Sequence, residues 1–229
     1  MSEKVRRMFA DIAEDYDRVN SILSFGVHHG WRSRTVQLSG AKRGDSVLDC
    51  ATGTGDLALE FKDKVGDEGY VLGTDFCKEM IEHAPQKAVE RNLEVDFEVA
   101  DAMNLPYEDD RFDVASIAFG IRNVDDPVKA LKEMARVVKA GGTVVVLEFG
   151  QPKGLLKYPY DFYSQYIMPA LGGWISGNRE AYTYLPRTSA AFPAGNEFVK
   201  LMKEAACFSS QMFERLTGGI AYVYVGTVK

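Results

Sequence analysis

The sequence predicts an α/β fold: a doubly wound, mostly parallel sheet of seven strands that closes in a C-terminal antiparallel hairpin. Three observations carry this. Segments rich in β-branched residues alternate with segments of helical spacing, the pattern of a parallel sheet covered on both faces. The first apolar run passes at once into a glycine-rich turn and a helix, in Val47-Leu-Asp-Cys-Ala-Thr-Gly-Thr-Gly-Asp56. The chain ends on two strand-like runs around Thr217-Gly-Gly219, the signature of a hairpin.

Element by element, strands are expected at Ser46–Cys50, Tyr70–Asp75, 95–100, Phe112–Ala118 and 143–149. Helices are expected at 55–65, 78–91, 126–138 and 196–206. The pair Gly141-Gly142 reads as the end of the third of these helices and the start of the fifth strand. Runs at 211–216 and Ala221–Val228 form the expected hairpin. Five parallel strands followed by a terminal hairpin is the arrangement of class I methyltransferases, a Rossmann-like architecture. Dinucleotide dehydrogenases usually continue with a sixth parallel strand and a substrate domain.

The whole of 1–229 reads as one domain, long enough at 229 residues to bury a full core. Two regions stand outside the alternating pattern. Residues 1–40 read as helices with an apolar stripe of Met8, Phe9, Ile12, Tyr16 and Val19, an N-terminal helical cover. Residues 151–195 form an insertion. Its 158–192 stretch holds 9 of the chain's 26 aromatic residues, and both tryptophans, Trp31 and Trp174, fall in the two extra regions. An aromatic run is often plain packing. Placed here, it suits a lid with an apolar underside over a hydrophobic substrate.

Composition narrows the function. A net charge of −6, with 27 basic residues scattered among 33 acidic ones, disfavours nucleic acid as a partner. Three cysteines without C-x-x-C spacing argue for a reducing compartment, and His28, His29 and His83 lack ligand-like partners, so no metal is expected. The amino terminus is charged and lacks the apolar core of a signal peptide, and no apolar stretch approaches the ~20 residues of a membrane helix. The expectation is a soluble cytoplasmic protein whose membrane contact, at the inner face of the cell membrane, is peripheral.

Gly53 and Gly55 allow backbone N–H groups to approach a ligand closely. Asp49, just upstream, is awkward beside a pyrophosphate and favourable beside a cation. S-adenosyl-L-methionine has no phosphate and carries an ammonium and a sulfonium. Gly53, Gly55 and Ala58 also fit a dinucleotide fingerprint, and a tight turn without ligand fits the loop as well. The strand ends separate these readings. Asp75 is placed to accept from two ribose hydroxyls, although it also suits an N-cap. Asp101 is placed to accept from an adenine amino group, with the Ala102 backbone at the ring edge. A dinucleotide enzyme does not need that third acid.

Four segments resemble the quinone-biosynthesis C-methyltransferases that make menaquinone and ubiquinone. The first is Met8-Phe-Ala-Asp-Ile-Ala-Glu-Asp-Tyr-Asp17 with Ser24-Phe-Gly26 and Trp31-Arg32, and the second is the glycine loop. The third is Phe119-Gly-Ile-Arg-Asn-Val124, and the fourth is Leu147-Glu-Phe149 with Tyr184-Leu185 and Phe192-Pro193. The likeness runs essentially end to end. It implies S-adenosyl-L-methionine bound through Thr54, Asp75, Asp101 and Ala102, and a prenylated quinol as methyl acceptor. Ala118 stands where some members carry a serine, Cys77 where serine is common, and Pro186-Arg187-Thr188 departs from the usual acidic-serine run.

Arg122 and Asn123 follow the fourth strand and are the catalytic candidates. A guanidinium is too basic to act as a conventional base, so Arg122 is expected to stabilise a quinolate, against the plainer reading of a structural salt bridge. Tyr16, Phe25, Trp31 and Tyr163 are the candidate substrate contacts. Tyr16, His28 and Asp161 are weaker candidates for the proton acceptor. The expected reaction is demethylmenaquinol to menaquinol, with a prenylated benzoquinol or another small aromatic or lipid as the alternative acceptor. A homodimer is an admissible state, and a donor-binding scaffold without turnover is the alternative from another class.

Overall fold

The computed structural model describes residues 3–229; Met1 and Ser2, the first residues of the expected helical cover, lie outside the described residues. Three helices open the chain: α1 (Glu3–Ile12), α2 (Tyr16–Leu23) and α3 (Val27–Leu38). Strand β1 (Ser46–Cys50) then leads through the glycine loop into α4 (Asp56–Val65). Next come β2 (Tyr70–Asp75), α5 (Lys78–Ile81), α6 (Ala84–Glu90), β3 (Asp96–Val99) and β4 (Phe112–Ala118). Helix α7 (Pro127–Arg136) and strand β5 (Val138–Phe149) follow. The insertion holds α8 (Lys157–Phe162), a π-helical turn over Tyr163–Ile167, α9 (Met168–Ser176) and α10 (Arg179–Ala191). The chain closes with α11 (Asn196–Ala205), β6 (Phe208–Leu216) and β7 (Ala221–Val228).

The seven strands form one sheet in the order β3-β2-β1-β4-β5-β7-β6. Strands β1 to β5 pair in parallel, and β7 runs antiparallel to both β5 and β6. Successive residues on a strand face opposite sides, which divides the core in two. Leu48, Ile117, Val144 and Val146 pack with Leu131 and Met134 of α7 and with Phe198 and Met202 of α11. Val47, Val145 and Leu147 pack with Trp31 and Val36 of α3 and with Leu57 and Phe61 of α4. Phe61 is fully buried, and truncating such a side chain to Ala costs about 3–5 kcal/mol.

Several element boundaries differ from the sequence expectation. Helix 126–138 ends at Arg136, and Gly141-Gly142 lie inside β5 instead of between helix and strand. The β4–β5 register jumps from the pair Phe112 and Val138 to the pair Val114 and Thr143, so the glycine pair forms a bulge. A Cβ on Gly142 would sit 2.5 Å from the Asp113 carbonyl, which is why glycine stands there. The expected helix 78–91 is two helices, because Pro85, at the start of α6, has no N–H with which to continue α5. Strand 95–100 is trimmed to Asp96–Val99, and the hairpin begins at Phe208, three residues early.

The two extra regions pack on each other. Ile12, Val19 and Leu23 of the amino-terminal helices meet Ala181 and Tyr182 of α10, with Met168 and Leu171 of α9 alongside. Together they sit over the carboxyl ends of β4 and β5: Trp31 lies 6.2 Å from Phe119 and from Phe149, ring centre to ring centre. Among the described residues, no helix is long and apolar enough to cross a membrane.

Candidate active site

Strand order reverses between β1 and β4, and ligands of such sheets bind in the crevice at that point, outside the carboxyl ends of the strands. A narrow cleft of about 70 Å³ occupies it, walled by Gly53, Asp75, Asp101, Ala102, Ala118 and Asn123 among others. Asp75 ends β2. Its Oδ2 accepts from the Gly53 N–H at 2.9 Å and its Oδ1 from the Cys77 N–H at 2.8 Å. Burial pushes the Asp75 carboxyl upward, and these backbone N–H groups oppose it. Two bonds leave a carboxylate with lone pairs to spare, enough for a vicinal diol. Asp101 Oδ1 accepts from the Met103 N–H at 2.9 Å and likewise keeps acceptor capacity. Gly53 (φ 58°) and Gly55 (φ 87°) make the turn, and a Cβ on Gly55 would lie 2.9 Å from that of Ala84. These two acids with spare acceptor capacity, beside the small residues Gly53, Ala102 and Ala118, are groups that could hold a nucleoside.

Of the expected donor residues, Asp49, Thr54 and Gly55 stand outside the wall of the cleft. Asp49 is buried at the end of β1, accepting from Thr52 Oγ1 at 2.7 Å and from Ser116 Oγ at 2.6 Å. Burial raises its carboxyl to about 6 despite those two hydroxyls. The Thr54 hydroxyl donates to Asp17 Oδ1 of α2 at 2.7 Å and accepts from Lys87 Nζ of α6 at 3.2 Å. Lys87 also pairs with Asp17 and with Asp56, and Arg32 Nη1 of α3 lies 2.9 Å from Asp56 Oδ2. Burial alone would raise Asp56, but Arg32 and Lys87 hold it below its usual range. This ionic cluster ties the amino-terminal helices to the glycine loop.

Beside the cleft lies a larger cavity of about 290 Å³, enclosed by α1–α3, the insertion and the ends of β4 and β5. Its lining is mostly apolar and aromatic. Tyr16, Phe25, Trp31 and Tyr163, predicted far apart in sequence, all line it, as do Arg122 and His28. Phe9, Tyr16 and Phe119 wall both spaces. Asn123 faces the cleft and Arg122 the cavity, so this neighbouring pair stands at their junction. Asp161 is paired with Lys157 and does not appear in the lining.

Arg122 makes the buried salt bridge that the plainer reading anticipates: Nη1 donates to Glu148 Oε1 at 2.7 Å and to the Phe119 carbonyl at 2.6 Å. Among the described residues its Nε finds no partner, and the guanidinium lies 5.3 Å from the centre of the Phe149 ring. Burial raises the Glu148 carboxyl against the pull of Arg122. Asn123 Oδ1 accepts from Tyr184 OH of α10 at 3.0 Å. Burial and the nearby Arg32 charge lower His28 to about 4, so its imidazole, 2.6 Å from Ser24 Oγ through Nδ1, is neutral at pH 7. Burial also raises the Tyr16 phenol.

The insertion departs from a lid with all its aromatics beneath. Tyr160, Tyr163, Tyr182 and Tyr184 line the cavity, whereas Tyr158, Phe162, Tyr166 and Trp174 are exposed. Sequence reasoning also passed over Glu148, although it sits in the quoted Leu147-Glu-Phe149, and over Phe119 as a wall. Ala51 (φ 49°) and Phe119 (φ 55°) both hold left-handed backbone at the ends of β1 and β4. Strain of this kind gathers at ligand sites, and no sequence pattern announces it for alanine or phenylalanine.

Known proteins match this chain along its length. The ubiquinone/menaquinone biosynthesis C-methyltransferase UbiE of Bdellovibrio bacteriovorus is 58% identical over 231 residues, covering 99% of this chain and 97% of its own. The demethylmenaquinone methyltransferase of Thermus thermophilus is 49% identical over 221 residues, covering 96% and 99%. Among solved structures, a SAM-dependent methyltransferase of Thermotoga maritima, described as a possible histamine N-methyltransferase, superposes with a TM-score of 0.70. It is 22% identical, covers 97% of this chain and 99% of its own, and bears on the fold alone. The model of the ubiE/COQ5 methyltransferase family matches residues 1–228, and with relatives at this identity the chain belongs to that family.

Proposed function

We propose that this protein transfers a methyl group from S-adenosyl-L-methionine to a ring carbon of a reduced, prenylated quinone, converting demethylmenaquinol to menaquinol. One observation carries the reading: the acid-lined nucleoside cleft and the apolar cavity share the walls Phe9, Tyr16 and Phe119, with Asn123 and Arg122 at their junction. The relatives named for demethylmenaquinone alone favour the naphthoquinol ring, and the name of the Bdellovibrio relative admits the benzoquinol.

When bound, the donor supplies a methyl on a sulfonium, which departs as a neutral thioether as the ring carbon takes the methyl. In this reading Asp75 holds the ribose hydroxyls, and Asp101 with the Ala102 backbone holds the adenine. Methylation at carbon needs electron density there, and ionising the neighbouring phenol, its proton passing to solvent, supplies it; the methylated ring carbon then gives up its own hydrogen as a proton, which restores the phenol. A phenol titrates near ~10, so a fixed cation beside its oxygen favours the ionised form. Arg122 provides that cation from the cavity wall, and because a guanidinium holds its proton so firmly it acts as a charge and not as a base. The apolar walls keep water out and hold the ring carbon in line with the methyl, at roughly 3 Å.

The test is direct. The protein is incubated with donor and, separately, demethylmenaquinol, its oxidised form and a prenylated benzoquinol, and the products are weighed by mass spectrometry. One added methyl on the naphthoquinol, with none on the oxidised quinone, is expected. Methylation of the benzoquinol alone would move the substrate to the ubiquinone series. Turnover of the oxidised ring with reductant excluded would overturn the mechanism.

A further inference from the structure

The outer side of the cavity carries an interaction surface. Most of the large apolar side chains left exposed among the described residues fall in two segments, 22–27 and 155–174. Leu155, Trp174 and Phe25 are 91%, 83% and 81% exposed, and Tyr158, Phe162 and Tyr166 are exposed as well. Single exposed apolar residues are ordinary, whereas a contiguous group marks a contact surface.

The two segments are physically joined. The Phe25 and Tyr163 rings lie 5.9 Å apart, and Tyr163 OH donates to the Leu23 carbonyl at 2.7 Å. Phe162, next to Tyr163 in the chain, and Tyr166 form a second exposed ring pair, 5.4 Å apart. Phe25 and Tyr163 also line the cavity, and Phe25 is 81% exposed, so the exposed face includes part of the cavity's rim.

We propose that this face docks on a lipid bilayer, with the rim of the cavity turned toward the acyl chains. The proposal rests on the reading that the substrate carries a prenyl tail, which must pass from the bilayer into a cavity of about 290 Å³. Two features select a bilayer. Tyr and Trp, apolar rings with a polar edge, are the side chains that settle at the headgroup level. The charge pattern agrees: the chain is −6 overall, yet residues 21–35 and 151–178 contain a single carboxylate, Asp161, and Lys157 neutralises it. The face therefore escapes the repulsion that anionic headgroups exert on the rest of the molecule.

The full chain is mixed with phosphatidylcholine vesicles, with and without phosphatidylglycerol, and floated on a density gradient. Flotation with both compositions is expected. A blue shift of tryptophan emission is also expected, since Trp31 is buried and Trp174 reports on the face. The double variant Leu155→Gln/Phe162→Gln, both exposed and outside the cavity lining, should bind vesicles at least tenfold more weakly. It should keep the wild-type kcat/KM on a short-tailed, water-soluble quinol without lipid, and lose at least tenfold on quinol carried in vesicles. Absence of flotation by the wild type, or equal vesicle binding by the variant, overturns the proposal. So does a wild-type dimer in lipid-free light scattering that the variant dissociates, because a second copy then covers the face. If the wild type leaves the short-tailed quinol unmethylated, the methylation reading fails, and flotation still decides this one.

Discussion

Arg122 and Glu148 form an ion pair sealed from water, 2.7 Å between Nη1 and Oε1, with 4% and 1% of the two side chains exposed. Glu148 also accepts from the backbone N–H of Phe149 at 2.7 Å, which fixes the carboxylate to its strand. The pair orients the guanidinium and, by partly balancing its charge, allows a cation to remain in an apolar wall. Removing one partner of a buried pair leaves the other uncompensated. Glu148→Ala should therefore cost about 3–5 kcal/mol of stability in a denaturant titration. Glu148→Gln, nearer in shape, should stay folded at 25 °C and lower kcat at least tenfold, with donor affinity unchanged by calorimetry. Unchanged kcat in a folded Glu148→Gln protein would confine the pair to structure.

Asp75→Asn preserves shape and one acceptor but removes the charge that the proposed diol contact uses. A lost charge-assisted hydrogen bond is worth about 1.5–3 kcal/mol, so the Kd for S-adenosyl-L-methionine should rise by roughly 10- to 150-fold. Calorimetry on the two proteins reads this out. Equal affinities would remove Asp75 from the donor site.

Asp49 and His28 should pull stability in opposite directions with pH. The folded-state pKa of Asp49 is raised, from 3.8 to about 6, so its contribution is present below pH about 4 and is lost as pH rises through 6. The loss amounts to about 3 kcal/mol. His28 is lowered, from 6.5 to about 4, so its contribution is present above pH 6.5 and is lost as pH falls through 4. The windows overlap, and the two terms largely offset each other in the wild type. Asp49→Asn should then gain stability relative to wild type as pH rises from 4 to 6, and His28→Asn should lose it. Urea titrations across that range check both slopes.

The narrow cleft, about 70 Å³, is walled on one side by Phe9 and Tyr16, the carriers of α1 and α2. A nucleoside donor in this cleft lies against those two side chains, so α1 and α2 are expected to shift when it binds. Segments that move for binding come from the less stable parts of a fold. Amides of α1 and α2 should exchange with deuterium faster than those of β1 and β4, and donor with a quinol analogue should slow them at least tenfold. Protection equal to that of β4 without ligand would exclude the movement.

The sequence by itself determined the sheet, because strand and helix periodicity are local properties. Alternation places Val47 and Leu48 on opposite faces however distant parts of the chain pack. It also marked the glycine loop and the acids Asp49, Asp75 and Asp101, since backbone freedom and strand ends are written in consecutive residues. Tertiary structure decided which side chains meet. Thr54 donates to Asp17, 37 residues away, and so faces an ionic cluster instead of the cleft. Arg122 meets Glu148 only because β4 and β5 are neighbours in the sheet. Trp174 faces outward while Tyr182, on the next helix, faces the cavity, a choice set by how α9 and α10 pack under α1 and α2. Residue spacing encodes what one element can do alone. The partners of a charge or an aromatic ring are fixed by strand order and helix packing, which arise only when the elements assemble.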